Sequence, residues 1–185
     1  MDPGEEAGAG TAGLLIRRAG PTDAGAIARL TITGWKAAYR GILPRDFLDG
    51  ISVHAREAVW RDRLERDEAG RLPAWLAERG GRALGFVSSG PPRDEDVPLP
   101  AAEVYAIYVR PEEWRRGVGQ ALLETALRHW RDRGVATLVL WVFEANARAR
   151  AFYEAMGWQP DGARQELELA GESVIEVRYR VGPGP

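Results

Sequence analysis

The sequence contains no cysteine among its 185 residues, which excludes disulfide bonds, thiolate metal ligands and a cysteine nucleophile. It also lacks a basic excess, since the formal net charge is −2 and the isoelectric point is about 5.8. Proteins that bind nucleic acid or an anionic membrane surface normally carry such an excess, so we expect neither partner. No apolar run approaches the roughly 20 residues that span a bilayer.

What the chain does contain is ordinary for a soluble globular protein, with 45% hydrophobic and 28% charged residues. Residues 1–13 are acidic and rich in glycine and alanine, without the cationic start and apolar stretch of a secretory signal. We therefore expect a soluble cytoplasmic protein, either a monomer or a homodimer. It should have a flexible tail at 1–13, one domain at 14–181 and a short tail at 182–185.

The hydrophobic pattern predicts the element order β-α-α-β-β-β-α-β-α-β-β, without an internal repeat. Asp23 or Thr22 and Ser52 are placed to cap the first two long helices, which should end near Gly41 and Gly70. The strands are predicted at Leu14–Arg18, Ala74–Glu78, Leu84–Ser88, Val104–Val109, Thr137–Phe143, Gln165–Leu169 and Val174–Val181. This order indicates the α/β (α+β mixed) class, with one mixed sheet and helices on both faces.

The centre of the sequence is a strand, a short turn and an amphipathic helix. Pro111 ends the apolar strand, because proline cannot donate to a sheet ladder. The helix carries a buried stripe that recurs every four residues, at Val118, Leu122, Ala126 and Trp130. Gly117, Gly119 and two arginines lie where the free N–H groups of a helix N-terminus meet, and such a turn binds anions. The turn therefore predicts a phosphate site; alternatively it is a tight connection that binds nothing.

A second segment, downstream, identifies a family. Its pattern is Asn146-x-x-Ala149-x-x-Phe152-Tyr153-x-x-x-Gly157-Trp158, after an apolar strand. This spacing resembles the acetyl-CoA-binding region of the GNAT N-acyltransferases. The segment from Val109 to Gly117-x-Gly119 resembles the pyrophosphate motif of that superfamily, Gln/Arg-x-x-Gly-x-Gly/Ala. The element order agrees with the family from about residue 14 to 181. Trp114 stands in place of the usual Gln or Arg, so that side-chain contact to CoA does not carry over.

The resemblance implies a central mixed, mostly antiparallel sheet of about seven strands, in which the two central strands part. It implies acetyl-CoA as the cosubstrate and no metal. The main chain of Val109 should pair with the pantetheine arm, as an added strand would. Asn146 should contact the cofactor near its thiol, and Tyr153 should face the sulfur. The N–H groups that should hold the pyrophosphate are those of Arg115, Arg116, Gly117, Val118, Gly119 and Gln120.

The resemblance also suggests how the chemistry is divided among side chains. The N–H of Ile107 would donate to the thioester carbonyl oxygen. Tyr153 is the candidate general acid for the leaving thiolate, since a phenol and a thiol have similar pKa values; alternatively it is a core tyrosine. Glu103 is the candidate base, and the alternative is a surface glutamate at the start of a strand. Tyr105 and Glu144 are weaker candidates for the base.

Residues on the first helix are candidates for the acceptor site. Trp35 and Tyr39 lie in a segment that borders this site in the family. Aromatic rings there could hold an amine, including by cation–π contact; alternatively they belong to the core. Arg148 and Arg150 reach the CoA phosphates or lie on a solvated helix face.

The sequence therefore predicts an N-acetyltransferase in which a small-molecule or protein amine attacks acetyl-CoA directly in a ternary complex. A catalytically silent acyl-CoA-binding or sensing domain is the alternative, and the intact Asn146 and Tyr153 favour the enzyme. A nucleotide-phosphate binder is a weaker third possibility, because no Lys-Ser/Thr pair follows the glycines as in a P-loop.

Overall fold

The computed structural model of the protein describes residues 12–67 and 70–182. Its strands are β1 Leu15–Arg18, β2 Ala74–Arg79, β3 Arg82–Gly90, β4 Ala101–Val109, β5 Thr137–Phe143, β6 Gln159–Leu169 and β7 Glu172–Val181. They form one seven-stranded sheet in the order β1-β2-β3-β4-β5-β7-β6. Neighbouring strands are antiparallel except β4 and β5, which are parallel. The mixed, mostly antiparallel sheet implied by the family resemblance is confirmed.

In the described residues, five α-helices cover the two faces of this sheet. They are α1 Ala24–Ala38, α2 Arg45–Asp49, α3 Val53–Glu65, α4 Val118–Arg131 and α5 Ala147–Ala155. On one face, α1 and α3 place Ile27, Leu30 and Trp60 against Leu76 and Phe86. On the other face, the predicted stripe of α4 is buried against the sheet together with residues of α5. Within the described ranges, none of the helices has the length and apolar character needed to cross a membrane.

The ends of several elements differ from the predicted ends. α1 stops at Ala38, three residues before Gly41, and Tyr39 becomes its C-cap. α3 begins after the predicted cap, where the Ser52 hydroxyl accepts a hydrogen bond from the N–H of Ala55 (3.2 Å), but it ends at Glu65 and not near Gly70. Beyond the helix, the carboxylate of Asp67 accepts a hydrogen bond from the Leu72 backbone N–H (2.7 Å).

The last hairpin is longer than the sequence predicts. β6 begins at Gln159 and not at Gln165, and a bulge between Pro160 and Arg164 interrupts its pairing with β7. Its early residues are mostly exposed at the sheet edge, so they carry no apolar alternation from which a strand is recognised. The predicted tails at 1–13 and 182–185 fall largely outside the described residues.

The sheet opens at its centre, as the family resemblance implies. β4 and β5 pair only where Ala101–Glu103 meets Thr137–Val139. Beyond this point β5 continues to pair with β7, and β4 continues to pair with β3. Tyr105 is an extra residue in the β3–β4 ladder, since Ala106 and Val104 pair with consecutive residues of β3. A bulge of this kind bends its strand, and it lies where β4 turns away from β5.

Candidate active site

A cleft of about 1050 Å³ occupies the gap between the separated strands. One wall is β4 from Val104 to Val109, and the other is β5 from Trp141 to Phe143. The turn before α4 and the first residues of α5 lie on one side of the sheet, and residues of α1 lie on the other. The cleft therefore opens to both faces of the sheet.

The edge of β4 offers backbone donors to this cleft. The N–H of Arg110 donates to the Leu84 carbonyl oxygen of β3 (2.8 Å), so its N–H points away from the cleft. Successive residues of a strand point their backbone groups to opposite edges. The N–H groups of Ile107 and Val109 consequently point into the cleft. The indole of Trp114 donates to the Val109 carbonyl oxygen (2.9 Å), which agrees with this orientation.

Trp114, which stands in place of the Gln or Arg of the resembled motif, packs against an arginine of α5. The guanidinium of Arg148 lies 3.4 Å from the centre of the Trp114 ring, and both side chains line the cleft. Burial lowers the pKa of Arg148. Arg150 has a different environment, because it donates to the Tyr179 hydroxyl (3.0 Å) and to the Glu144 carbonyl oxygen (3.2 Å). Of the two arginines on α5, Arg148 is the one in the cleft.

The turn before α4 has the backbone geometry of an anion site. Arg115 and Gly117 have positive φ angles of 61° and 77°, and such left-handed residues turn consecutive N–H groups towards one point. The first hydrogen bond of the helix runs from the Ala121 N–H to the Gly117 carbonyl oxygen (2.9 Å). Helix geometry leaves the N–H groups just before Ala121 without intrahelical acceptors. Gly119 has no side chain, so its main chain is accessible from the cleft that it lines. The turn fits a pyrophosphate.

Asn146 and Tyr153 lie on α5, at the cleft wall. Asn146 is the N-cap of this helix, and its side-chain oxygen accepts a hydrogen bond from the Ala149 N–H (3.2 Å). This capping bond fixes the side chain and leaves its amide N–H groups for a ligand. Tyr153 is 8% exposed, and burial raises its pKa, so the phenol keeps its proton at neutral pH. The side chain is part of the core and of the cleft wall at once.

Glu103 does not have the surroundings expected of either alternative. The surface alternative is wrong, because Glu103 is fully buried. Its carboxylate accepts hydrogen bonds from the backbone N–H and from Nε of Arg93, both at 2.9 Å. Glu103 is absent from the described residues that line the cleft, whereas its neighbour Tyr105 lines it. Its role as a base stays a prediction that this ion pair does not favour.

Glu144, the other weak candidate, forms an ion pair with Arg164 (3.0 Å), and both side chains are more than a third exposed. It too is absent from the described residues of the cleft wall.

The predicted acceptor residues meet in one aromatic network. Trp35 donates its indole N–H to the Tyr108 hydroxyl (2.7 Å), and the hydroxyls of Tyr108 and Tyr39 are 3.0 Å apart. The ring of Tyr39 lies 4.8 Å from that of Phe143, centre to centre. Tyr39, Tyr108 and Phe143 line the cleft, whereas Trp35 supports it from behind. A ring of Tyr108 fits here because Gly34 has no Cβ, which would lie 2.5 Å from it.

Glu176 is a cleft residue that the sequence analysis missed. It lies on β7, directly opposite Phe143 in the pairing with β5. Its Oε2 accepts a hydrogen bond from the side-chain amide of Gln165 (2.7 Å), and burial raises its pKa. The alternation of Val174, Glu176 and Arg178 shows that they share a face of β7. Only the strand order, however, shows that this face borders the cleft.

Comparison with known proteins gives a consistent picture. A family profile described as the acetyltransferase (GNAT) family matches residues 36–158. An uncharacterised N-acetyltransferase of Bacillus subtilis is 31% identical over 166 residues, which are 89% of this chain and 90% of the relative. A probable N-acetyltransferase of Mycobacterium tuberculosis is 32% identical over 172 residues, 91% and 93% of the two chains.

A solved structure is similar in fold. It is the PaiA N-acetyltransferase of Thermoplasma acidophilum in complex with coenzyme A, with a TM-score of 0.73 and 17% sequence identity. The similarity covers 92% of this chain and 99% of that one.

Proposed function

The chain belongs to the GNAT acetyltransferase family, and from this premise we propose that it transfers the acetyl group of acetyl-CoA to the nitrogen of an amine acceptor. One observation carries the proposal above the others. The gap between β4 and β5 leads directly to the turn at Arg115–Gln120, so one continuous cleft offers a free strand edge and an anion site. A pantetheine arm with a pyrophosphate at its end matches both features.

Acetyl-CoA supplies an acetyl thioester, and this chain supplies the groups that hold it. The N–H of Val109 is free to pair with the pantetheine arm, while the Trp114 indole already occupies one lone pair of the Val109 carbonyl oxygen. The N–H groups from Arg115 to Gln120 would bind the pyrophosphate. Arg148 is held over Trp114 at the same end of the cleft and would add a positive charge to the phosphates.

Two groups are placed to stabilise charge during acetyl transfer. The Ile107 N–H would donate to the thioester carbonyl oxygen as negative charge develops there, and one such donor contributes about 3–4 kcal/mol. Tyr153 would give its proton to the departing thiolate. Burial raises its pKa, so the phenol is protonated throughout the neutral range, as an ordinary tyrosine also is.

The two faces of the sheet separate the reactants. The turn and α5 lie on the α4 face, where the cofactor would bind, and Tyr39, Tyr108 and Phe143 lie towards α1. An amine that enters from the α1 face would therefore meet the thioester inside the gap. With no cysteine in the chain to carry the acetyl group, this arrangement supports direct attack in a ternary complex.

Amine-dependent release of CoA tests the proposal. The purified chain is incubated with acetyl-CoA and each member of a panel of primary amines, free thiol is followed, and the acetylated amine is identified by mass. We expect thiol release that depends on the amine, above the slow hydrolysis measured without it. Binding of acetyl-CoA without transfer to any amine would favour a silent acyl-CoA-binding domain instead.

A further inference from the structure

The acceptor end of the cleft contains a carboxylate that is not neutralised. Two acidic side chains, Glu113 and Glu176, line the described part of the cleft. Glu113 lies near the phosphate turn and is paired with Arg79 (3.1 Å) and Arg116 (3.7 Å). Glu176 differs, because its hydrogen-bond partner is the neutral Gln165, which uses Oε2. No basic side chain among the described residues lies within ion-pair distance of Glu176, so Oε1 is available to a ligand.

Aromatic rings surround this carboxylate. Phe143 is its direct neighbour across the β5–β7 pair, and the Tyr39 ring packs on Phe143. Tyr108 completes the wall through its hydroxyl contact with Tyr39 (3.0 Å). The negative faces of such rings attract a cation, and a carboxylate among them supplies a full opposite charge. The combination suits an alkylammonium group.

The charges on the same face of β7 also favour a cationic acceptor. Arg178, two residues after Glu176, donates to Asp94 (3.0 Å), Asp96 (2.7 Å) and Asp161 (2.7 Å). Three carboxylates therefore share one guanidinium, and a negative excess remains beside the acceptor end. A field of this sign attracts cationic substrates and repels anionic ones.

We propose that Glu176 binds the acceptor and accepts its proton, and that the acceptor is an alkyl amine which enters as its ammonium cation. Gln165 holds Oε2 by its hydrogen bond, which leaves Oε1 for the acceptor. This proposal rests on the proposed function, since it assigns the acceptor half of the same site.

The protons balance as follows. The ammonium gives one proton to Glu176, and the neutral amine nitrogen then forms its bond to the thioester carbonyl carbon. The carbon–sulfur bond breaks, and Tyr153 protonates the thiolate. The nitrogen loses a second proton as the amide forms, which replaces the proton that Tyr153 gave. Glu176 returns its own proton to solvent, so the products are the amide, CoA and one proton.

The pH dependence follows from the groups that face Glu176. Burial raises its pKa most strongly, Glu103 and Asp94 raise it further, and Gln165 and Arg93 lower it. The phenols that face it are those of Tyr39 and Tyr108. Because the carboxylate must be ionised, activity should fall at acidic pH. The midpoint of this acid limb of the pH–activity profile should lie above about 4.3, the ordinary pKa of glutamate.

The raised pKa of Glu176 also affects stability, and in the opposite direction from activity. The folded state binds the Glu176 proton more tightly than the unfolded state, so stability falls as the pH rises from the ordinary pKa to the raised one. The penalty remains in full at neutral pH. Glu176→Gln should therefore keep or raise Tm at neutral pH, while it abolishes the acid limb of the activity profile.

The test compares the full-length wild type with Glu176→Gln, Glu176→Asp and, as a matched control, Glu172→Gln at an exposed site of the same strand. The acceptors are phenethylamine, cadaverine and alanine amide. We expect kcat/KM to fall roughly 10²–10⁴-fold in Glu176→Gln, with unchanged acetyl-CoA affinity. Glu176→Asp should retain part of the activity and the acid limb, and Glu172→Gln should match the wild type.

Three results would overturn the proposal, each in a different way. Retention of kcat/KM within about threefold in Glu176→Gln would remove this carboxylate from the reaction. A lower Tm in both Glu176 variants, with activity lost in proportion, would make its role structural. Turnover of other amines, but of none of these cations, would exclude the alkylammonium class, whereas acetyl-CoA binding without turnover of any amine would mean that the proposed function itself fails. If acetyl-CoA itself did not bind, the proposed function would fail and not this assignment alone.

Discussion

At the scale of single residues, burial decides which groups hold protons in the cleft. The phenols of Tyr39, Tyr108 and Tyr153 all have raised pKa values, and desolvation is the largest cause for each. They are therefore protonated at neutral pH, as ordinary phenols are. The carboxylate of Glu176 is shifted upward for the same reason. The two groups to which we assign proton transfer thus owe their pKa values to the same low-dielectric surroundings.

Tyr153→Phe tests the acid. The substitution keeps the ring that packs against Trp158 and Tyr179 and removes one hydroxyl. We expect the single-turnover rate to fall roughly 10²–10⁴-fold, because the thiolate then leaves without its donor. Affinity for acetyl-CoA, measured by titration, should change little. An unchanged chemical rate would mean that water or the cofactor supplies the proton.

Two carboxylates, Glu103 and Glu176, show what the sequence alone did not predict about single residues. Glu103 was recognisable as a candidate base from its place in the family pattern. The sequence did not show that Arg93, from the loop before β4, would cover its carboxylate. Glu176 carried no motif at all, and it became a candidate only when β7 was found beside β5. Long-range pairing, which one sequence does not reveal, accounts for both.

At the scale of elements, the strand–turn–helix unit at β4–α4 was predictable because its signals are local. Its buried stripe, its glycines and its turn at a helix N-terminus depend on neighbours within a few residues. The tight connection between the strands predicted at Ala74–Glu78 and Leu84–Ser88 has a local signal too, since Gly80 and Gly81 both have positive φ. The bulge at Tyr105 was not, because a bulge is defined by a partner strand.

The turn can be tested by two substitutions at one position. Gly119 does not need a positive φ, and a Cβ there would make ordinary contacts with the Phe152 ring (3.4 Å) and with Val109 Cγ2 (3.7 Å), so the fold should accept either change. Gly119→Glu places a negative charge at the anion site, and we expect acetyl-CoA affinity to fall roughly 100-fold or more, a cost of about 2.7 kcal/mol. A carboxylate at a helix N-terminus does not harm the helix itself.

Gly119→Ala is the control, because it adds a methyl group without charge and should lose much less affinity. Titration with acetyl-CoA measures both variants, and their Tm values report folding. Equal affinities in the wild type and Gly119→Glu would show that the turn is only a connection.

At the scale of the whole molecule, the central sheet separates two layers of helices and is open between β4 and β5. The bulge and the separation of β4 from β5 create the gap; α4 and α5 lie on the side to which we assign the cofactor, and α1 and β7 lie on the side to which we assign the acceptor. The sequence predicted the two-sided fold class from element order alone. The position of the opening came from the family resemblance, because no spacing in the chain reports which strands separate.

The measurement that tests this account most directly is a titration of the folded chain with acetyl-CoA, followed by binding heat and by Tm. Acid, base and acceptor assignments all require that the central gap holds this cosubstrate. We predict saturable binding of one molecule per chain. At 100 times Kd the stabilisation should be about 2.7 kcal/mol, which for a chain of this size raises Tm by about 5–10 °C. A folded chain that shows neither binding heat nor a Tm increase at millimolar acetyl-CoA would contradict the account.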